Sequence, residues 1–420
     1  MSNIHVIKSD FFRDLDEEKI ELFLSYFNKV LEEEMVRRSS GGGSIGYLDD
    51  GMDPLLTGDF KNKDYIGLKM PHDKVITLCF TSYWKKGIFD YIEISSDIPK
   101  EEWIEYIEKK VQRALLATIA KKTEKFFFRS TYNYIGSRLA GEYYFPGWRL
   151  VPATPIDAPK YKNAESIFYL DMEVEGIHEK HARSKCEAKC NEITAILSLL
   201  LDKGIYKPSD EYLWGTDPLT NKSNLFLMRY EGEEDTPSKM PKKDKKKLGR
   251  YSELHGIMKD YPYYSPIELP QNTRRLFRAF EKLSMVEKEA FLSAARMYQI
   301  SISVGKNIDT VSSAYRIAAL DALSKPLREN NQNKNAIISL VKKYYPSLSF
   351  EKKVAWLYEN IRSAHFHQGV FKEQDIQGPK RELFKGPRDV FPRISEDDLH
   401  IATRAILIRW LSDKIPKDEN

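Results

Sequence analysis

The chain has 420 residues, more than a single domain usually holds, so we expect two or three domains. Its hydrophobic fraction of 41% is sufficient for buried cores, and its net charge of +4 neither requires nor excludes nucleic acid as a partner. Three cysteines argue against a disulfide framework and thus against a small secreted protein. With no leader-like start and no window long enough to span a membrane, we expect a cytoplasmic protein without a membrane partner.

The first part of the chain mixes helix and strand patterns. Residues 15–38 begin with a helix whose apolar side chains recur every 3.6 positions. The glycine-rich residues 39–46 follow this helix and lack the Gly-Lys-Ser/Thr of a phosphate-binding loop, so we predict a flexible loop. Farther along, the pattern predicts strands at 75–80, 88–94, 126–128 and 167–174 and a helix at 97–122. The fold predicted for this region is α+β.

Residues 143–149, which read Tyr-Tyr-Phe-Pro-Gly-Trp-Arg, combine aromatic and basic side chains. Such a segment could stack on the bases of a nucleotide and pair with them. Aromatic runs beside strands more often belong to a core or an interface, so we favour packing over ligand binding here.

Four residues of types that bind zinc follow at His178, His181, Cys186 and Cys190. They precede an apolar helical run, and one helix would carry them all. At 100° per residue the two cysteines lie on the apolar face while His181 points away, so the four side chains cannot converge on one ion. We therefore predict buried structural cysteines, with no metal site and no cofactor.

Residues 231–250 contain almost no apolar side chains and predict a solvated linker. The expected organisation is an α+β domain at 1–230, a charged connection at 231–270 and a helical domain at 271–420. The basic half of the linker, residues 239–250, could hold an RNA backbone by counterion release. A merely soluble linker explains the same composition equally well.

From residue 271 onward every strong pattern is helical, which predicts an all-α bundle. Pro326 and Pro346 separate successive helices. Ser395 and Asp398 resemble a capping box at the start of the last helix. The predicted helices are 272–301, 309–324, 334–344, 350–362 and 395–413.

Residues 358–369, Tyr-Glu-Asn-Ile-Arg-Ser-Ala-His-Phe-His-Gln-Gly, place one arginine and two histidines at the end of a helix. Arg362 is a permanent cation, whereas His365 and His367 can exchange protons near neutral pH. Similar spacings occur from Arg250 to His255 and from Arg393 to His400, but neither arginine is expected to follow a buried helix. Arg362 follows an apolar stripe at Phe350, Val354, Leu357, Tyr358 and Ile361.

The spacing Arg362-x4-His367 resembles the signature of HEPN domains, which are helical ribonuclease modules of bacterial toxins and phage-defence proteins. Residues 312–323, Ser-Ser-Ala-Tyr-Arg-Ile-Ala-Ala-Leu-Asp-Ala-Leu, are similar to the small-residue helix that precedes this motif in ApeA-like HEPN domains, with Asp321 at its acidic position. The likeness covers about residues 272–415. One departure is Gln368, which separates the motif histidine from Gly369.

The resemblance implies a metal-independent endoribonuclease that leaves 2′,3′-cyclic phosphate ends and acts as a toxin in antiviral, abortive-infection defence. By the same resemblance, His367 is the principal acid and base, Arg362 the transition-state stabiliser, His365 an auxiliary residue, and Asp321 the residue that orients one of them. The implied partners are RNA and a second copy of the chain. From the domain architecture alone, we expect the first domain to act as a sensor or restraint that responds to an unidentified trigger. The alternative is a catalytically silent HEPN module for dimerisation or ligand binding.

Overall fold

The computed structural model describes residues 4–7, 17–46, 59–70, 73–85, 88–120, 123–154, 165–207, 212–216, 223–227, 236–252, 266–304, 309–328, 333–362, 366 and 387–416. Backbone proximity divides the chain into two units. Unit 1 comprises Met1–Phe126 with Glu175–Lys185, and unit 2 comprises Phe127–Val174 with Cys186–Asn420. No helix within these described ranges is long and apolar enough to cross a membrane.

Unit 1 contains a five-stranded antiparallel sheet with two helices. Its strands are β1 (Ile4–Ile7), β2 (Met35–Gly46), β3 (Asp59–Lys69), β4 (Val75–Lys85) and β5 (Ile88–Ser95), in the spatial order β1-β5-β4-β3-β2. Helices α1 (Glu17–Glu32) and α2 (Ile104–Ala120) share an apolar core with the sheet. Within β4, Ile76, Leu78 and Phe80 are buried in alternation, and the strand predicted at 75–80 is confirmed.

The glycine-rich residues 39–46 belong to a strand, so the predicted flexible loop is wrong. They form the second half of β2, which pairs with β3 at the edge of the sheet. The register shifts between Ser40 and Gly42, as in a β-bulge. Backbone hydrogen bonds need no side chains, so an edge strand tolerates glycines that a propensity argument assigns to a loop.

Unit 2 contains most of a four-stranded sheet. The strands β6 (Glu124–Ile135), β7 (Tyr143–Phe145), β8 (Trp148–Pro152) and β9 (Glu165–Gly176) have the spatial order β6-β9-β8-β7. Tyr143, Tyr144 and Trp148 are buried, which confirms that the aromatic segment packs in a core. Two short pairs follow: β10 (Tyr212–Thr216) with β11 (Ser223–Leu227), and β12 (Tyr251–Ser252) with β13 (Leu269–Pro270).

The later part of the described chain is helical, so the predicted change from α+β to α structure is confirmed. The helices are α3 (Glu179–Leu201), α4 (Thr273–Glu281), α5 (Met285–Val304), α6 (Asp309–Ser324), α7 (Asn333–Tyr344), α8 (Leu348–Leu357) and α9 (Pro387–Ser412). The single helix predicted at 272–301 is two helices, because Ser284 accepts from the backbone amide of Glu287 and starts α5.

The last helix, α9, begins at Pro387, so the start predicted at Ser395 is wrong. Proline suits the first helical position because it lacks the amide hydrogen that a helix start leaves unpaired.

The predicted linker at 231–270 lies within unit 2. Its described residues 236–252 contact the chain at and just before β7. Glu142 forms an isolated β-bridge with Leu248, and the phenol of Tyr143 donates to the carbonyl of Arg250 at 2.6 Å. The backbone of this segment is thus attached to the sheet, while its lysine side chains are exposed. The predicted three-part division of the chain stays a prediction.

A buried ion network ties the strands of unit 2 together. Asp171 on β9 is fully buried and accepts from Arg129 at 2.7 and 2.9 Å and from Arg149 at 2.8 Å. Arg149 also donates to Glu142 and to the phenol of Tyr144, each at 2.9 Å. Because a buried charge is tolerated only when it is paired, each member of the network depends on the others.

We predict that Asp171→Asn destabilises the protein by about 3–5 kcal/mol, because it removes the buried carboxylate charge that Arg129 and Arg149 share, while Glu142 continues to pair with Arg149. Urea unfolding should show a clear fall in the transition midpoint. The control is Glu105→Gln, which breaks a pair with Lys109 on the exposed face of α2 and should leave the midpoint unchanged. An equal midpoint for both variants would show that the network does not stabilise unit 2.

Candidate functional site

The helix that leads to the motif, α8, is capped at its start and buried along one face. The hydroxyl of Ser347 accepts from the amide of Phe350 and caps the start of α8. Phe350, Val354 and Leu357 are buried, so these three positions of the predicted apolar stripe are confirmed. Because this buried face holds α8 in the core, it also fixes the position from which Tyr358–Arg362 continue.

After Leu357 the chain changes from α-helical to π-helical geometry over Tyr358–Arg362. A π-helical turn joins residues five apart by hydrogen bonds and is wider than an α-helical turn, and such turns occur frequently at functional sites. The chain therefore leaves α-helical geometry before it reaches Arg362.

The structure brings Arg362 and Asp321 together. Nη2 of Arg362 donates to Oδ2 of Asp321 at 3.2 Å, across 41 residues of sequence. The guanidinium also lies over the ring of Tyr358, with 5.3 Å between its central carbon and the ring centroid. A carboxylate from α6 and an aromatic face from the π-helical turn therefore both orient this cation.

Sequence reasoning missed Arg328, which completes the cluster. Its Nη2 donates to Oδ1 of Asp321 at 2.6 Å and to the carbonyl of the same residue at 3.0 Å. The Asp321 side chain is 12% exposed and lies between two guanidinium groups, each about a quarter exposed. The two guanidinium groups place planar hydrogen-bond donors beside solvent, a chemistry that suits an anionic ligand such as a phosphodiester.

The signal that could have revealed Arg328 is local. Pro326 ends α6 and a 3₁₀ turn at Lys325–Leu327 follows, so the next side chain folds back toward the last turn of the helix. Asp321 lies seven residues before Arg328, in the last turn of α6.

The two motif histidines, His365 and His367, lie outside the described residues. Phe366, the residue between them in sequence, is described. Its ring packs edge-on against Tyr315 of α6, with 5.4 Å between the centroids. Arg362 and Phe366 therefore both contact α6, the helix that carries Asp321.

The zinc-type residues do not form a site. Cys186 and Cys190 are buried, with their sulfurs 3.8 Å apart, so the prediction of buried cysteines is confirmed. Nδ1 of His181 instead accepts from the amide of Ile177. Among the described residues no group of three or more His, Cys, Asp or Glu side chains could hold a metal ion.

A second polar cluster, also missed from the sequence, connects three helices of unit 2. Asp202 follows α3 and accepts from the phenol of Tyr298 on α5 at 2.6 Å. His400 on α9 lies 2.9 Å from the same carboxylate, and Arg404 donates to the carbonyls of Leu199 and Leu200. His400 belongs to one of the two rival Arg-to-His spacings, and here it joins helices together.

Electrostatics explain why Asp202 stays ionised. Burial alone would raise its pKa, but hydrogen bonds from His400 and Tyr298 and the charge of Arg404 outweigh burial and hold the pKa well below its usual range. Burial and the adjacent carboxylate raise the pKa of Tyr298 well above its usual value, so its phenol stays a donor.

We predict that Asp202→Asn lowers the unfolding midpoint most near neutral pH. A carboxyl whose folded pKa is depressed stabilises the fold above its unfolded pKa of about 3.9, and this stabilisation fades as pH falls below that value. The measurement is the midpoint difference from wild type between pH 7 and pH 3. Asp398→Asn, on the exposed face of α9, is the control. A difference that stays constant with pH would contradict the assignment.

Comparison with protein-family models, with curated proteins and with solved structures gave no match to this chain.

Proposed function

We propose that the protein is a HEPN-type endoribonuclease that cuts RNA without a metal ion and acts as a toxin in antiviral defence. The observation that carries this proposal is the contact between Asp321 and Arg362, the acidic and basic positions of the motif. The resemblance in sequence assigned both residues to one site. A contact across 41 residues of sequence is not implied by composition or helix periodicity.

The reaction needs few protein groups because RNA carries its own nucleophile. The 2′-hydroxyl loses its proton and attacks the adjacent phosphorus, forming the O2′–P bond. The P–O5′ bond then breaks, and a proton delivered to O5′ completes the leaving group. The products are a 2′,3′-cyclic phosphate and a 5′-hydroxyl. Proton transfer and stabilisation of the phosphorane charge are the only tasks left for side chains.

The roles follow from side-chain chemistry. Arg362 stabilises the additional negative charge on the phosphorane oxygens, since its planar donors match phosphate geometry. His367 moves the protons, and His365 assists it or binds the RNA. Asp321 holds Arg362 in place, and Arg328 holds Asp321 from its other oxygen. A fixed guanidinium loses little entropy when the substrate binds, which favours catalysis.

A catalytically silent HEPN module is the alternative. It would use the same cluster to bind a partner or a phosphate-containing ligand without cleaving it. Cleavage of RNA by the purified protein separates the two functions.

The first part of the chain has a regulatory role in this proposal. A toxin that cuts cellular RNA must stay inactive until infection, so the α+β region acts as sensor or restraint and responds to a phage component or a small ligand. Induction in bacteria with and without phage challenge tests this role. Equal RNA cleavage under both conditions would contradict it.

We predict that purified protein cleaves labelled RNA in excess EDTA and leaves 2′,3′-cyclic phosphate ends. Arg362→Ala should lower kcat by about 10²–10³-fold, because one donor to the developing charge is lost, and His367→Ala by about 10²–10⁴-fold. Arg296→Ala, which removes an exposed arginine of α5, is the matched control and should cut normally.

Two outcomes of this experiment would overturn the proposal. Full activity of both site variants would show that the site is elsewhere. Loss of wild-type cleavage in EDTA with recovery on addition of magnesium would indicate a metal-dependent nuclease.

The active form is expected to be a homodimer in which two Arg362/His367 clusters face each other. One cluster supplies too few groups to bind phosphate, stabilise charge and move two protons, whereas two copies supply both an acid and a base. A two-fold contact achieves this with a single surface. Mixing wild-type with His367→Ala subunits should lower activity faster than the wild-type fraction falls. A linear decline after verified subunit exchange would contradict the composite site.

A further inference from the structure

The lysine-rich segment, residues 239–250, concentrates positive charge more than any other described stretch of similar length. It contains six lysines and one arginine against a single carboxylate, Asp244. The whole chain of 420 residues has a net charge of only +4. Outside this segment acidic residues therefore slightly outnumber basic ones, and the positive charge of the protein is localised here.

The backbone of this segment is bound to the sheet of unit 2 on both sides of its bend. The amide of Glu142 donates to the carbonyl of Lys247 at 2.8 Å, and the amide of Gly249 donates to the carbonyl of Glu142 at 2.9 Å. The phenol of Tyr144 donates to the carbonyl of Lys242 at 3.3 Å. These bonds hold the backbone of the segment, so its charges have a fixed location.

Two glycines let the segment approach the sheet this closely. A Cβ at Gly141 would lie 2.6 Å from the carbonyl oxygen of Lys247. A Cβ at Gly249 would lie 2.3 Å from the ring of Tyr143. Neither position has room for a side chain, so the close contact is a specific feature of the fold.

Three lysine side chains of this segment are accessible to a ligand. Lys242, Lys245 and Lys246 are exposed, and none has a carboxylate within 4 Å in the described part of the chain. The carboxylate of Asp244 accepts from the backbone amide of Lys246 at 2.9 Å and so stabilises the turn. Holding several cations together without neutralising them is unfavourable for the isolated protein, which points to an external polyanion.

The cationic surface continues onto α4. Nη2 of Arg274 donates to the carbonyl of Tyr144 at 3.0 Å. The ammonium of Lys243 lies 5.8 Å from the ring centroid of the same tyrosine. Both cations therefore adjoin one buried residue, and the surface is wider than the segment alone.

We infer that the lysine-rich segment docks the phosphate backbone of RNA, with Lys242, Lys245 and Lys246 as its phosphate contacts. This inference rests on the proposed function for the identity of the polyanion. Phosphate contacts by lysine are independent of base sequence and strongly dependent on salt. The segment contains no aromatic residue for stacking on bases, and its apolar residues are too few for an anionic membrane surface to be favoured.

The test compares two triple variants in the full-length chain. The first is Lys242→Gln with Lys245→Gln and Lys246→Gln. The matched control is Lys61→Gln with Lys125→Gln and Lys185→Gln, which removes three exposed lysines of unit 1. Each is made in an Arg362→Ala background, in which the slowed cleavage leaves a fluorescent single-stranded RNA intact during a binding measurement. Circular dichroism and urea unfolding verify that both fold like the parent.

Fluorescence anisotropy is measured at several KCl concentrations. The slope of log K against log salt should become shallower by about 2 for the first variant, since each lost contact to a single strand contributes about 0.7. The control variant should keep the parent slope. Equal slopes for both variants would overturn the inference. It would also be overturned if the first variant kept its RNA binding but lost binding to phosphatidylserine vesicles or to polyglutamate.

Cleavage assays with Arg362 intact separate this inference from the proposed function. Salt-dependent RNA binding through the segment without any cleavage would refute the nuclease and leave the docking surface standing. Cleavage with an unchanged KM in the first variant would refute the docking surface and leave the nuclease standing.

Discussion

The carboxylate of Asp321 is the constraint on which the candidate site depends. It accepts from Arg328 at 2.6 Å and from Arg362 at 3.2 Å, and so joins the end of α6 to the π-helical turn after α8. Without the carboxylate, two partly buried guanidinium groups would repel each other, and without the arginines a carboxylate at 12% exposure would be costly. The result of this mutual dependence is a fixed orientation for Arg362, and the proposed phosphate chemistry follows from that orientation.

Unit 2 has two contrasting arrangements of charge, a buried ion network around Asp171 and an exposed group of lysines in the lysine-rich segment. Within the sheet, the carboxylate of Asp171 binds the guanidinium groups of Arg129 and Arg149. On the adjoining lysine-rich segment, by contrast, the fold fixes the backbone, and the exposed Lys242, Lys245 and Lys246 have no carboxylate within 4 Å among the described residues. The first arrangement stabilises the protein, because breaking a buried pair leaves an uncompensated charge. The second leaves positive charge available to attract a polyanion. For this reason we assign binding to the lysine-rich segment and stabilisation of the fold to the buried network.

The periodicity of apolar residues predicted most of the helices and strands, but it could not predict the contacts between residues that are distant in sequence. The apolar stripe of α8 and the alternation in β4 were readable because a helix and a strand repeat every 3.6 and 2 residues. The glycines of β2 misled the prediction, since strand pairing depends on the neighbouring β3. Arg328 was missed although its partner Asp321 is only seven residues away, whereas Asp202, Tyr298 and His400 meet only in the folded chain. Asp321 was identified through family resemblance, and the structure adds its contact with Arg362.

A double-mutant cycle tests most directly whether Asp321 acts through Arg362. The quantity is kcat/KM for RNA cleavage by wild type, Asp321→Asn, Arg362→Ala and the double variant, each verified as folded by urea unfolding. We predict that Asp321→Asn lowers activity in the wild-type background and causes no further loss once Arg362 is alanine, because the effects of interacting residues are not additive. Losses that multiply in the double variant would contradict the account, since they would show that the two residues act independently.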